Sequence, residues 1–468
     1  MGHRIARRTF LKRSAVAVGT GVALPYFVRP SSLGRAGTIA ASERITVGMI
    51  GTGGHGREMN LKTFLGQPDA QVVAVCDVDR EQREIARGMV NDKYGNGDCA
   101  VCNDFRDVLA RADIDAVMIS TPDHWHVPIA IAAAKAGKDI ECEKPTLTIE
   151  EGRRLVETMN RYSRVFQWST EDRAVDVYHR MCELVRNGRI GKVHTIKVGL
   201  PSGPNEPGDP RSMPVPNGFD YDMWLGPAPW APYTKGRCHW NFRWIFDYSG
   251  GQLTDWGAHL LDGAQWGNNT EHTGPVEVEG KGVFWNDGLY NTAKEYHIEY
   301  AYADGVKLFV DSGEPSLRFE GADGWIGNTG WRAPLQAEPA SILKSVIGPD
   351  EVHLFTCPQG EQRNFLDCVK SRQACYFPPE TGQRCFTIAH IGNIAMRTGK
   401  KLKWDPQAER FTNDDGAEEE VHVGPDRPEL LIGRNKECDL RTKNNTVSRL
   451  HAKVVWQGGN YLLVDLGS

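Results

Sequence analysis

The chain has 468 residues, with 55 Lys and Arg against 60 Asp and Glu, a net charge of -5 and a sequence pI of about 6.3. That balance excludes a generally basic nucleic-acid binder, and a 40% hydrophobic share with 25% charged residues excludes a disordered chain. At roughly 150 residues per domain the length suggests about three domains, and no apolar run reaches the roughly 18 residues that span a membrane.

Residues 4–28 read RIARRTFLKRSAVAVGTGVALPYFV. Arg7 and Arg8 precede a modest apolar stretch from Ala15 to Val28, and the segment resembles a twin-arginine export signal. A basic amphipathic tail is the alternative. Residues 1–41 are therefore set apart from the fold, and the chain is expected to be exported, already folded, to the periplasm.

Ile45 to Ile50 form a β-rich run followed at once by Gly51-Thr52-Gly53-Gly54-His55-Gly56, and helical character follows from Arg57 to Leu65. A second apolar run, Val72 to Cys76, ends at Asp77, 26 residues after Gly51. A GxGxxG loop between strand and helix, with an acid at that distance, is the context of a dinucleotide-binding fold. Gly51 allows the tight turn, Gly53 lets the backbone approach a pyrophosphate, and Gly56 lets helix and strand pack closely. Asp77 is placed to accept from ribose hydroxyls and to repel a 2′-phosphate, which predicts NAD over NADP.

The chain holds 11 Cys, and only Cys99 and Cys102 have CxxC spacing. No second pair follows, so a turn that carries two thiols is the plain reading. Ala116 to Ser120 reads as a buried strand ending in Thr121-Pro122-Asp123-His124-Trp125-His126, then a helix to Ala136. Asp139 to Cys142 leads into Glu143-Lys144-Pro145. Both loops follow carboxyl ends of strands, where open α/β sheets hold their ligands. His124 and His126 lack an obvious third ligand, so no metal is expected.

Together GTGGHG, VCDVD, STPDHWH and CEKP resemble the Gfo/Idh/MocA family of NAD(P)-dependent oxidoreductases. The resemblance continues through GGQLTDWGAHLLD, NFLDCVKS and HIGNIAMRTGKKLKWD, over about residues 44–411. It implies an α/β chain: a doubly wound parallel Rossmann sheet over 42–168, then an α/β domain over 169–411 with a mostly antiparallel open sheet, often used for homo-oligomers. Candidate cofactor contacts are Gly51, Gly53, Gly54, His55, Gly56, Asp77, Thr121, Pro122, His126, Glu143 and Lys144.

The residues also point to chemistry by themselves. Asp255 and His259 stand at i, i+4, with Asp262 three residues on; in one helix they share a face. A carboxylate beside an imidazole orients it, and histidine suits the movement of a hydroxyl proton. Lys144 adds positive charge where an alkoxide develops. A merely solvated polar face fits the spacing as well. The resemblance implies the catalytic reading, with Lys144, Asp255 and His259 as the family's Lys, Asp and His.

Nine of the 13 Trp lie between Trp224 and Trp331. Trp224, Trp240, Trp244 and Trp256 are expected around a sugar pocket, with Arg243 and Asp255 as substrate contacts, although core packing is the plain alternative for any one Trp.

The family pattern fades near Phe411. An acidic linker over 412–420 leads to LLIGR, SRLHA and YLLVDLGS, which resemble a forkhead-associated domain, a β-sandwich that reads phosphothreonine. By that resemblance Arg434 and Ser448 would touch the phosphate. The family continues past the point reached at Ser468, so 421–468 is expected to be a partial sandwich that binds phosphothreonine peptides weakly or not at all.

The expected function is an exported NAD-dependent oxidoreductase that moves a hydride between nicotinamide and a carbinol of a sugar or polyol. One alternative is a glycoside hydrolase that retains NAD and works by transient oxidation. The other is a phosphothreonine-peptide scaffold.

Overall fold

Short apolar runs and the turns between them organise the chain into two large sheets. The computed structural model describes residues 39–413 and the backbone of the strands Glu429–Gly433, Leu440–Arg441, Ala452–Gln457 and Asn460–Asp465. The expected leader and most of the acidic linker lie outside the described residues.

The first sheet holds β1 (Ile45–Ile50), β2 (Ala70–Cys76), β3 (Ala100–Cys102), β4 (Ala116–Ile119), β5 (Asp139–Glu143) and β6 (Phe166–Ser169). All pairs are parallel, in the order β3-β2-β1-β4-β5-β6. Every residue of β4 and β5 is buried, as expected of strands covered on both faces. The order reverses between β1 and β4, and the crevice outside that switch point is where doubly wound sheets bind ligands.

The connecting helices are α1 (a π-helical turn Gly56–Leu61 running into Lys62–Gly66), α2 (Arg80–Tyr94), α3 (Phe105–Leu109), α4 (Asp123–Lys135) and α5 (Ile149–Tyr162). Asp79 caps α2 by accepting from the Glu81 amide, and Gly95 ends it in the left-handed conformation. Thr148 and Glu151 form a capping box on α5.

After α6 (Asp176–Arg186) comes the second sheet: β7 (Val193–Leu200), β8 (Glu277–Val283), β9 (Glu295–Ala301), β10 (Lys307–Ser312), β11 (Ser316–Gly321), β12 (Gly324–Gly327), β13 (Gln336–Glu338), β14 (Leu402–Asp405) and β15 (Arg410–Phe411). Its order is β13-β12-β11-β7-β10-β9-β8-β14-β15, and the β7–β10 pair alone is parallel among its described pairs. Buried and more open positions alternate along β9, so the sheet covers its core with one face. The helices of this half are α7 (Tyr221–Leu225), α8 (Gln252–Asp255), α9 (Gly257–Gly267), α10 (Glu361–Ser371) and α11 (Pro379–Thr398). α11 packs on both β8 and α5, which joins the two halves. The predicted class, a doubly wound sheet beside a mostly antiparallel open one, is the fold observed. The C-terminal strands form a separate four-stranded sheet.

Between β7 and α8 runs an irregular strap, residues 201–251. It lies along the carboxyl edge of the first sheet. The Arg80 amide donates to the Gly218 carbonyl (2.9 Å) and the Asp220 amide to the Val78 carbonyl (2.9 Å). Asn103 Nδ2 donates to Asp220 Oδ2 (2.7 Å).

Candidate active site

The glycine loop sits at the switch point. Gly51 has φ +84°, and a Cβ there would stand 2.5 Å from the Ser120 carbonyl oxygen. A Cβ on Gly56 would stand 2.5 Å from the Gly51 oxygen, so helix and strand meet without side chains between them. Gly53 and Gly54 face open space. The loop thus offers bare backbone beside a helix start, a cradle that fits a pyrophosphate. Asp77 closes it from the end of β2: its carboxylate accepts from the amides of Thr52 (2.7 Å) and Asp79 (2.9 Å). Burial pushes this carboxyl up, against those two amides. Arg57 donates to the Thr52 carbonyl (2.7 Å) and pairs with Gln82.

A cavity of about 670 Å³ opens from this loop and is shared by the sheet edge, the strap and α9. Of the sequence-derived candidates, Gly51, Gly53, Gly54, His55, Gly56, Asp77, Thr121, Pro122, His126, Glu143, Lys144, Arg243, Asp255 and His259 all line it. The π turn of α1 places Asn60 inward, where Nδ2 donates to Ser120 Oγ (3.0 Å) and Glu143 Oε1 (2.8 Å). His55 Nε2 lies 2.8 Å from the same Glu143 oxygen. Burial pushes the Glu143 carboxyl up, but the charges of His55 and Lys144 and the Asn60 bond outweigh it and hold it at about 2. His55 is raised in turn by the Glu143 charge.

Lys144 Nζ donates to the Asp255 carbonyl (2.9 Å) and to its Oδ1 (2.6 Å). Arg243 Nε donates to Asp255 Oδ2 (3.0 Å), while its guanidinium carbon stands 4.3 Å from the Trp240 ring centre. Burial opposes the charge on Asp255, yet Lys144 and Arg243 hold its carboxyl well below the usual range. Burial likewise opposes the charge on Lys144, and Asp255 and Glu143 overcome it, so the ammonium persists.

The expected Asp255–His259–Asp262 face is corrected here. The helix is not continuous: α8 ends at Asp255, and after a turn at Trp256 the His259 amide bonds back three residues, to the Trp256 carbonyl (3.1 Å). That step frees the Asp255 carbonyl for Lys144 and sends the Asp255 carboxylate to Lys144 and Arg243. His259 makes no hydrogen bond with it. Asp262 belongs to another group: Arg173 Nε and Nη2 each donate to it at 2.6 Å in a buried pair. Beside His259 stands Asp172, with Oδ2 3.5 Å from Nδ1. That spacing suits an ion pair, but Nδ1 has no properly formed hydrogen bond.

The tryptophans divide. Trp224 is 4% exposed, packs on Tyr248 and Tyr221, and lines the cavity. Trp244 is buried away from it. Trp240 and Trp256 line it, joined by Trp331, whose ring lies 5.0 Å from that of Trp256. Of the expected tryptophans, Trp224, Trp240 and Trp256 line the cavity and Trp244 does not; Trp331 was not foreseen. His124 and His126 each meet backbone carbonyls, and His126 also lines the cavity. His124 Nε2 meets the Trp224 carbonyl (2.8 Å), and burial lowers it to about 4. His126 lies between the carbonyls of Thr121 (2.7 Å) and Pro145 (2.8 Å).

Sequence reasoning missed Asn60, Asp172 and Trp331. Asp172 follows the carboxyl end of β6, a position that could have marked it. Trp331 comes from the connection between β12 and β13 at one edge of the second sheet and gave no signal beyond its place in the Trp-rich stretch. Arg434 and Ser448 lie outside the described residues.

This geometry defines a dinucleotide-binding protein with a second α/β domain closing its site. Residues 45–170 match the oxidoreductase family's NAD-binding Rossmann fold and residues 208–430 its C-terminal alpha/beta domain; the chain belongs to the Gfo/Idh/MocA oxidoreductase family. Residues 430–468 match the FHA domain. A "Glycosyl hydrolase family 109 protein" of Saccharopolyspora erythraea is 35% identical over 181 residues, 34% of this chain and 38% of that one. An inositol 2-dehydrogenase of Rubrobacter xylanophilus is 29% identical over 184 residues, 39% of this chain and 51% of the relative. Each match thus spans about half of the relative's length or less. The crystal structure of the WlbA dehydrogenase of Bordetella pertussis, in complex with NADH and UDP-GlcNAcA, shares the fold at a TM-score of 0.57 and 16% identity, over 77% of this chain and 99% of that one.

Proposed function

We propose that the chain is an NAD-dependent oxidoreductase acting on a carbinol of a sugar or polyol. The observation that carries this is the Lys144–Asp255 pair beside His259 in one cavity with the glycine loop. NAD bound at that loop supplies the hydride acceptor. His259 takes the hydroxyl proton as the carbonyl forms, and gives it back in the reverse direction. The Lys144 ammonium stabilises negative charge on the reacting oxygen. Trp240, Trp256 and Trp331 offer apolar faces to the C–H faces of a sugar ring. The test is mass spectrometry of nucleotide released from purified protein, followed by NAD with a panel of sugars and polyols. NADH formation on one of them supports the reading; protein that releases no nucleotide and turns over none of them would end it.

A second reading is favoured by the hydrolase relative: NAD stays bound, and transient oxidation permits cleavage of a glycosidic bond. Release of a free sugar from a chromogenic glycoside without NADH accumulation selects it. Export by the twin-arginine route to the periplasm and self-association complete the proposal. Replacement of Arg7 and Arg8 by Lys should retain the protein in the cytoplasm, and light scattering reads the assembly.

A further inference from the structure

His259 sits in the cavity wall with one nitrogen unaccounted for. Its side chain keeps 10% of its surface, yet Nδ1 is buried and has no hydrogen-bond partner. The carboxylate expected to orient it is committed elsewhere, because both Asp255 oxygens are taken by Lys144 and Arg243. The carboxylate that does face Nδ1 is Asp172, buried at the end of β6, with Oδ2 at 3.5 Å.

Asp172 is itself held from outside the first sheet. Arg332 Nε and Nη2 donate to its Oδ1 (3.0 and 2.8 Å), and Trp331 Nε1 donates to its Oδ2 (3.2 Å). Arg332 adopts the left-handed conformation, φ +57°, a backbone rarely used by a long side chain and here tied by the two bonds to Asp172. Trp331 is also part of the cavity wall. One loop of the second domain therefore holds the carboxylate beside His259 and places Trp331 in the cavity wall.

We propose that Asp172 is the positioning residue for His259: it accepts a hydrogen bond from Nδ1–H and leaves Nε2 with the lone pair that receives the substrate's hydroxyl proton. This rests on His259 being the proton carrier, but its structural half can be read without turnover. The arrangement parallels the carboxylate–imidazole pairing of hydrolytic triads, in which the carboxylate sets the tautomer.

The atoms make the asparagine variant informative. In Asp172→Asn the two Arg332 donors keep the amide oxygen at the Oδ1 position. The NH₂ group then takes the place of Oδ2 and faces Nδ1 with a donor. That favours Nε2–H, the wrong tautomer for a base at Nε2.

The experiment is nitrogen NMR of protein labelled with ¹⁵N-histidine and loaded with NAD, the His259 signal being assigned by its loss in His259→Gln. The parent should show Nδ1–H. Asp172→Asn should show Nε2–H, with kcat lowered about 10²-fold or more and KM changed less than about threefold. Trp331→Phe keeps a ring, removes the competing donor to Oδ2, and should keep Nδ1–H. A parent already in the Nε2–H form overturns the proposal, as does an unchanged tautomer in Asp172→Asn or a switch in Trp331→Phe. A tautomer switch without any effect on turnover would instead remove His259 as proton carrier and leave the Asp172 contact standing.

Discussion

Lys144 binds Asp255 twice, through the backbone carbonyl at 2.9 Å and the carboxylate at 2.6 Å. The double contact depends on the turn at Trp256, which withdraws the Asp255 carbonyl from the helical ladder. It holds an ammonium at a fixed point in a buried site, where charge acts strongly because little reorganisation is needed. Removing that charge should harm the chemical step more than binding. Lys144→Met is expected to lower kcat about 10²–10³-fold, with NAD affinity falling much less than kcat because the glycine loop and Asp77 are untouched. Steady-state kinetics beside calorimetric NAD titration check this; a loss below about tenfold in kcat would remove Lys144 from the charge-stabilising role.

Cofactor choice rests on Asp77. Two backbone amides anchor its carboxylate at the end of β2, facing the cavity. A fixed negative charge there accepts from ribose hydroxyls and opposes a 2′-phosphate. The parent should bind NAD more tightly than NADP. Asp77→Ala should weaken NAD by about 10-fold or more, the scale of a hydrogen bond to a charged group, and narrow the gap to NADP. Paired titrations with the two nucleotides decide it, and tighter NADP binding by the parent refutes it.

The strap across the sheet edge bears on cofactor exchange. Asp220 caps α7 by accepting from the Met223 amide, and it also accepts from Asn103 at the end of β3. It lies beyond the cavity lining, while Phe219, Met223 and Trp240 of the same strap are part of it. Asp220→Ala removes both bonds and should loosen the roof without touching the glycine loop. Release of isotope-labelled NAD into excess unlabelled NAD should quicken by about tenfold, in line with one cap and one hydrogen bond lost. An unchanged release rate would show that the strap does not gate the nucleotide.

How much of this was legible follows from the range of each signal. The glycine loop, Asp77 and the Glu143-Lys144 turn were readable because a local motif dictates them: strand, tight turn and helix within a few residues. The Asp255–His259 pairing was misread because i, i+4 spacing assumes an unbroken helix, and the turn at Trp256 breaks it. Asp262 fell with it, since only tertiary packing brings Arg173 alongside. The strap carries no period of 2 or 3.6, so its contacts with Val78, Arg80 and Asn103 could not be foreseen. Nor could the approach of Trp331 to Asp172, separated by 159 residues.

Two buried acids behind the site make stability depend on pH. Glu361, on α10, accepts from Ser169 Oγ (2.5 Å), Gln362 Nε2 (3.0 Å) and Tyr376 OH (3.3 Å). Glu141, on β5, accepts from Gln167 Nε2 (3.3 Å), and its Oε2 has no partner. Burial pushes both carboxyls above the usual range, and neighbouring carboxylates add to it. The folded chain therefore keeps protons that the unfolded chain loses near its ordinary value of 4.5. Because the folded state binds more protons over that interval, stability is fully present below about pH 4.5 and falls as pH rises toward the raised folded values. Each unit of displacement corresponds to about 1.4 kcal/mol. Glu361→Gln keeps the shape, can still accept from Ser169, and cannot ionise. Its Tm should match the parent at about pH 5 and exceed it at about pH 8, by about 1–2 °C for each kcal/mol recovered in a chain of this size. Thermal melts of both full-length chains across that range test the sign. A variant that loses stability relative to the parent as pH rises would show that Glu361 is ionised in the folded protein and that its charge is needed there.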